Sequence, residues 1–216
     1  MNAQTSIAPK PSTRPETHAE RMADPGNGIT INGITLTAAR ASRQNEVFTA
    51  DALSFLSSLH REFGERIAAL DPTQLQPERN FAPSPAGHKE RAMEAEASWK
   101  ALVDKHLAQS GCAFATPRRL TRSEDRIFSQ GQPLSAGLVD FGLHIQRCAR
   151  RLVAEKRAPF ISLLGLEREE ELEIWQEMFA RAEELIGLPA GTIRAITFSS
   201  ADDDRGGAIL VEKRAR

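Results

Sequence analysis

A chain of 216 residues is long enough to bury one substantial core, or one core with a loose tail. Its 28 Lys and Arg residues against 29 Asp and Glu leave a formal net charge of -1, so no overall field draws it to nucleic acid or to an anionic membrane, and neither is expected as a partner. No apolar run approaches the roughly 20 residues of a membrane helix, and the N-terminus lacks the apolar centre of a secretory signal, so the expected location is the cytoplasm.

Residues 1–28 are rich in Pro, Ser, Thr, Asn and charge and carry too little apolar surface to offset the ordering entropy. They head a tail expected to be disordered over 1–45, with one short hairpin in "ITINGITLTAAR", where apolar and polar residues alternate about Asn32-Gly33. From Thr49 the period changes. Leu53, Leu56, Leu59, Phe63, Ile67 and Leu70 recur at helical spacing behind Thr49 as N-cap, which predicts an amphipathic helix stopped by Asp71-Pro72. The four prolines of "DPTQLQPERNFAPSPAGH" mark 73–86 as a linker.

"KERAMEAEASWKALVDKHLAQSG" predicts a second helix closed by Gly111, with Met93, Trp99, Leu102, Val103 and Leu107 as core positions. A short strand is expected in "CAFATPRRL", ending at Pro117. In "LSAGLVDFGLHIQRCARRLVAEK" the apolar Leu138, Phe141, Ile145, Cys148 and Leu152 predict a long helix. "PFISLLG" is a continuous apolar run of strand length, as for a strand covered on both faces. "EREEELEIWQEMFARAEELIG" is a helix with an acidic first turn and Gly187 at its end, and "GTIRAITF" is the next strand. Residues 159–198 therefore predict a parallel βαβ unit.

In parallel α/β sheets the working residues sit at the C-terminal ends of strands. Beyond "TIRAITF" that place offers Ser199, Ser200, Asp202, Asp203 and Asp204. Cys112 and Cys148, the only two cysteines, are in no CxxC spacing, which argues against a disulfide framework or a thiolate zinc site and for buried or idle thiols. His18, His60, His88, His106 and His144 form no HExxH or other ligand spacing. Arg147, Arg150, Arg151, Lys156 and Arg157 form a basic run without interleaved aromatics and read as a solvated helix face rather than a phosphate site. Arg118, Arg119 and Arg122 read as surface residues.

Several separated motifs, in order, carry a family resemblance: Asp140-Phe141-Gly142-Leu143, Leu166-Glu167, Trp175, Phe179, and Leu185 through Ala195 in "LIGLPAGTIRA". This pattern resembles the central barrel segment of malate synthase, of the A type. "VFTADALSFLSSLHREFGERIAAL" resembles that family's N-terminal helical clasp, and "TPRRLTRSEDRIFSQGQPLSAG" the strand and loop leading into the central segment. The resemblance implies an α/β fold, mostly helical by content: a clasp-like helix over 46–72, a partial (β/α)8 TIM-barrel segment over 87–200 and a polar tail over 201–216. It also implies an enzyme of the glyoxylate cycle, an acyltransferase that condenses acetyl-CoA with glyoxylate to malate and CoA.

In that chemistry Mg²⁺ polarises the aldehyde, a carboxylate takes a methyl proton and an arginine stabilises the enolate. The family's metal-binding glutamate, aligned without a gap, falls on Ser200, whose neutral hydroxyl is a poor ligand for a hard cation. The resemblance supplies no residue here as catalytic arginine, second metal carboxylate or catalytic aspartate. Mg²⁺ is therefore not expected to bind. The switch to unrelated sequence after Phe198 resembles a truncation, internal deletion or frameshift. Two expectations follow: a malate synthase by descent, inactive as this chain, or a non-enzymatic module that associates with a full-length enzyme. A barrel fragment leaves edges and apolar faces uncovered, so self-association or a partner chain is expected in either case.

Overall fold

The computed structural model describes residues 28–38, 40–71, 88–164, 166, 168–198 and 208–211. The expected linker, most of the N-terminal tail, and Ser199, Ser200, Asp202, Asp203 and Asp204 lie outside the described residues.

Strands β1 (Ile29–Ile31) and β2 (Ile34–Leu36) form the hairpin that the alternation predicts. Asn32 and Gly33 turn it with φ of 52° and 80°, the left-handed pair that matches strand twist in a two-residue loop. A short helix α1 (Gln44–Val47) follows. Helix α2 (Ala50–Leu70) starts at Thr49, whose hydroxyl accepts from the Ala52 amide at 3.1 Å, and ends where Asp71 turns extended ahead of Pro72. All six apolar residues of its predicted stripe are buried.

Helix α3 (His88–Ala108) and a 3₁₀ turn at Gln109–Gly111 come next. Trp99 and Val103 are buried, Trp99 stacking on Phe48 with ring centroids 5.0 Å apart and donating to the Gln44 side chain at 3.0 Å. Met93, expected in the core, is 63% exposed, and the other residues described between it and Trp99 also face solvent.

Strand β3 (Phe114–Ala115) ends before Pro117, as expected. Strands β4 (Ser123–Ser129) and β5 (Gln132–Ser135) then form a second hairpin. Helix α4 (Ala136–Ala154) starts from Ser135, whose Oγ accepts from the Leu138 amide at 3.3 Å. Strand β6 (Phe160–Leu163), helix α5 (Glu169–Ile186) and strand β7 (Arg194–Phe198) make the predicted parallel βαβ unit, with β6 beside β7 from Phe160↔Arg194 to Leu163↔Thr197. Gly187 ends α5 in the left-handed conformation, φ 69°. Strand β8 (Ala208–Val211) stands where a polar tail was expected.

The strands form two sheets, antiparallel β1-β2-β4-β5 and mixed β3-β6-β7-β8. In the second, β3, β6 and β7 are parallel neighbours and β8 is antiparallel to β7. Helix outweighs strand among the described residues, and the fold is α/β with a partial barrel rather than a closed one. The motif aromatics Phe141, Trp175 and Phe179 meet in one cluster, with centroids 5.2–5.7 Å apart. The clasp-like α2 packs on α4 and α5. At its surface Arg66 makes a two-pronged pair with Glu177 (2.5 and 3.2 Å), and Arg181 meets Glu62 at 2.9 Å.

Candidate functional site

The C-terminal end of β3 is where the structure concentrates charge. Two residues past Ala115, Pro117 has no amide to continue the strand, and Arg118 turns toward α4. Its backbone amide and Nε donate to Asp140 Oδ2 at 3.1 and 3.0 Å, and Nη2 to Oδ1 at 2.9 Å. Arg118 Nη1 also lies 2.8 Å from Glu124 Oε2 on β4. Lys105 Nζ, from α3, reaches Asp140 Oδ2 at 3.0 Å, and His106 Nε2 stands 3.5 Å from Oδ1, a long contact rather than a well-formed hydrogen bond.

Gly137 makes this approach feasible. A Cβ there would lie 2.6 Å from the Arg118 carbonyl oxygen and 3.0 Å from the Leu120 amide nitrogen, so only glycine lets the first turn of α4 sit against the backbone of 118–120. Asp140 is almost fully buried. Burial acts to raise its pKa, but the neighbouring His106, the Arg118 guanidinium and the Lys105 charge outweigh burial and hold the carboxyl well below the usual carboxylate range. For Arg118 burial acts downward and is likewise outweighed, by Asp140 and Glu124, so its pKa is raised.

Four residues on, His144 shares this face of α4. It is 2% exposed, neither ring nitrogen has a hydrogen-bond partner, and burial together with His106 pushes its pKa down to about 4. Arg118, expected at the surface, is only partly exposed and is engaged by two carboxylates; Arg119 and Arg122 are exposed as expected. One signal could have found the cluster. Asp140 sits between Val139 and Phe141 in the most apolar stretch of a helix, and a carboxylate in such a place requires a cation or several donors.

The stretch from Leu185 through Ala195 is held in place by a buried carboxylate just before it. Glu183, buried, accepts from the amides of Gly191 (2.8 Å) and Ile193 (2.7 Å), fixing the turn from α5 into β7. Of the basic run, Arg150, Arg151, Lys156 and Arg157 are exposed and Arg147 is partly buried. Arg147 donates to the Glu46 carbonyl, Arg150 Nε to the Ile186 carbonyl at 3.0 Å, and Arg157 pairs with Glu155 at 3.1 Å.

Mg²⁺ takes oxygen ligands, mostly carboxylates and water, in near-octahedral array. Among the described residues no group of three or more His, Cys, Asp or Glu side chains converges to hold a metal. Both Asp140 oxygens already accept from cationic groups, so a divalent cation would meet positive charge there. The described residues do not fit the ion. No described helix is long and apolar enough to cross a membrane.

Parallel strands with helical crossovers, apolar on both faces and carrying charge at a strand's C-terminal end, define a segment of the α/β-barrel class. Residues 114–200 match the family model of the malate synthase TIM barrel domain. The glyoxysomal malate synthase of Cucurbita maxima is 38% identical over 90 residues, 40% of this chain and 16% of the relative. The malate synthase of Streptomyces clavuligerus is 34% identical over 116 residues, 53% of this chain and 21% of the relative. A bifunctional glyoxylate cycle protein of Caenorhabditis elegans is 35% identical over 78 residues, 36% of this chain and 8% of the relative. The aligned part of the chain thus spans 8–21% of the length of these relatives.

Proposed function

We propose that this chain carries a malate synthase barrel segment as a structural module and does not by itself condense acetyl-CoA with glyoxylate. The observation that carries the reading is the pairing of β7. In a (β/α)8 barrel each strand has a parallel neighbour on both sides; here β7 has β6 on one side and antiparallel β8 on the other, so the parallel array stops at β7. The charge at the end of β3 supports the same reading, because Arg118 is already neutralised by Asp140 and Glu124. Calorimetric titration of the purified chain with glyoxylate in the presence of Mg²⁺ tests it. No saturable heat is expected, and a saturable heat that vanishes when the metal is chelated would contradict the reading.

A second reading, an interaction module, has its own observation. On β3, β6 and β7, Ala115, Ile161, Leu163 and Ala195 share one face and are buried in the main core. The alternate residues face the other way: Phe114 is 48% exposed, Phe160 and Ile196 are only partly buried with Ser162 buried between them, and Arg194 beside Phe160 is exposed. Leu164, just beyond β6, is 53% exposed. A sheet whose second face exposes large apolar side chains such as Phe114 is suited to being covered there too. In this reading a second copy of the chain covers that face. Sedimentation velocity over a range of concentrations should show reversible self-association, and a strictly monomeric boundary would count against it.

A further inference from the structure

The two cysteines stand 36 positions apart, yet the fold brings them to one carbonyl. The end of α3 and its 3₁₀ turn run alongside α4 in register: Lys105 and His106 meet Asp140, Gln109 meets Cys148, and Gly111 faces Arg151. The Gln109 carbonyl oxygen accepts from the Cys112 amide at 3.0 Å and lies 3.7 Å from Cys148 Sγ. The Cys148 sulfur is therefore no farther from the Cys112 amide nitrogen than these two distances laid end to end. Half-cystine Cα atoms sit about 4.4–6.8 Å apart, with each sulfur reaching well beyond its own Cα.

We propose that Cys112 and Cys148 form an intramolecular thiol–disulfide site that staples the end of α3 to α4 when the chain meets a low-molecular-weight disulfide.

The order of events follows from exposure. Cys112 is exposed and Cys148 buried, so the Cys112 thiolate attacks one sulfur of the small disulfide. Its S–S bond breaks, one thiol leaves, and Cys112 becomes a mixed disulfide. Cys148, deprotonated, then attacks the Cys112 sulfur and expels the second small thiol. The two protein thiols are oxidised, the small disulfide is reduced to two thiols, and the two protons end on those products. Arg147 and Arg151 favour the Cys148 thiolate, while burial, the larger influence, keeps its pKa raised. Cys148 thus waits as the resolving thiol rather than reacting first.

The full chain treated with oxidised glutathione tests this. Native wild-type protein is expected to lose both titratable thiols, to show an intact mass lower by two hydrogens with no glutathione retained, and to yield one peptide pair joining Cys112 to Cys148. Its thermal midpoint should rise by about 5–10 °C and return on reduction. Cys148→Ser should instead accumulate the mixed disulfide on Cys112. Glutathione retained by wild type as by Cys148→Ser, a disulfide-linked dimer, or two unreacted thiols would each overturn the proposal.

Discussion

The two sheets finish their surfaces in opposite ways. The antiparallel sheet buries Ile34, Leu36, Ile127 and Leu134 on its inner side. Outward it turns polar residues such as Thr30 and Thr35, whose hydroxyls hydrogen-bond across the hairpin at 2.8 Å. That is the alternation of a sheet with one wet face, complete once α2 and α4 cover the other. The second side of the mixed sheet is apolar in the main, with Phe114, Phe160 and Ile196 beside Ser162 and Arg194, opposite Ala115, Ile161 and Ala195. The apolar strands of this sheet are those expected of a sheet buried on both faces, while the described fold covers one. The segment that matches the barrel model thus carries the packing pattern of a parallel array, although among the described residues that array is not closed.

The Asp140 cluster joins the two regions, since Arg118 follows β3 and Glu124 lies on β4. Breaking it should have the largest effect on the comparison. Asp140→Ala leaves the Arg118 and Lys105 cations without their shared carboxylate and should cost about 3–5 kcal/mol, read as a fall of about 10 °C in thermal midpoint by circular dichroism.

Acid comes next. His144 titrates near pH 4 in the folded chain and near 6.5 when unfolded. Above pH 6.5 it is neutral in both states. As pH falls toward 4 the unfolded chain takes up a proton that the folded chain refuses, so stability present above pH 6.5 is lost, by about 3 kcal/mol in all. Urea titrations from pH 7.5 to 4.5 should show this slope, and His144→Leu should flatten it. Gly137→Ala, which places a methyl group 2.6 Å from the Arg118 carbonyl, should cost about 1–3 kcal/mol by the same urea method. The smallest effect on stability is expected on the uncovered face. Phe114→Ser should change the midpoint of unfolding by about 0.5 kcal/mol or less while weakening self-association in sedimentation, whereas a polar substitution at buried Ile34 should do the reverse.

Much of this fold is legible in the sequence because local signals and packing agree. The Thr49 cap, the stripe from Leu53 to Leu70 and the Asp71-Pro72 stop all place α2 where it lies; Asn32-Gly33 places the first hairpin, and the apolar run of β6 with the Gly187 end of α5 places the βαβ unit. What escapes is long-range. Strand β2 pairs with β4 far along the chain, Leu36 opposite Ile127, and no periodicity announces a partner so distant. Arg118 lies in a run of arginines that reads as surface, and only the fold shows that one of them answers the carboxylate inside α4. Met93 fails for the opposite reason: its helical position is right, but α3 outruns the core that would have buried it. The pair Cys112 and Cys148 is likewise joined only by the parallel run of α3 and α4.

The central claim, that a malate synthase barrel segment serves here as structure and not as catalyst, is tested most directly by CoA thiol release. The purified, demonstrably folded chain is given acetyl-CoA, glyoxylate and Mg²⁺, with each omitted in turn. The account predicts no release above the rate seen without glyoxylate. Release that requires both glyoxylate and Mg²⁺, and persists after removal of any trace of contaminating enzyme, would contradict it.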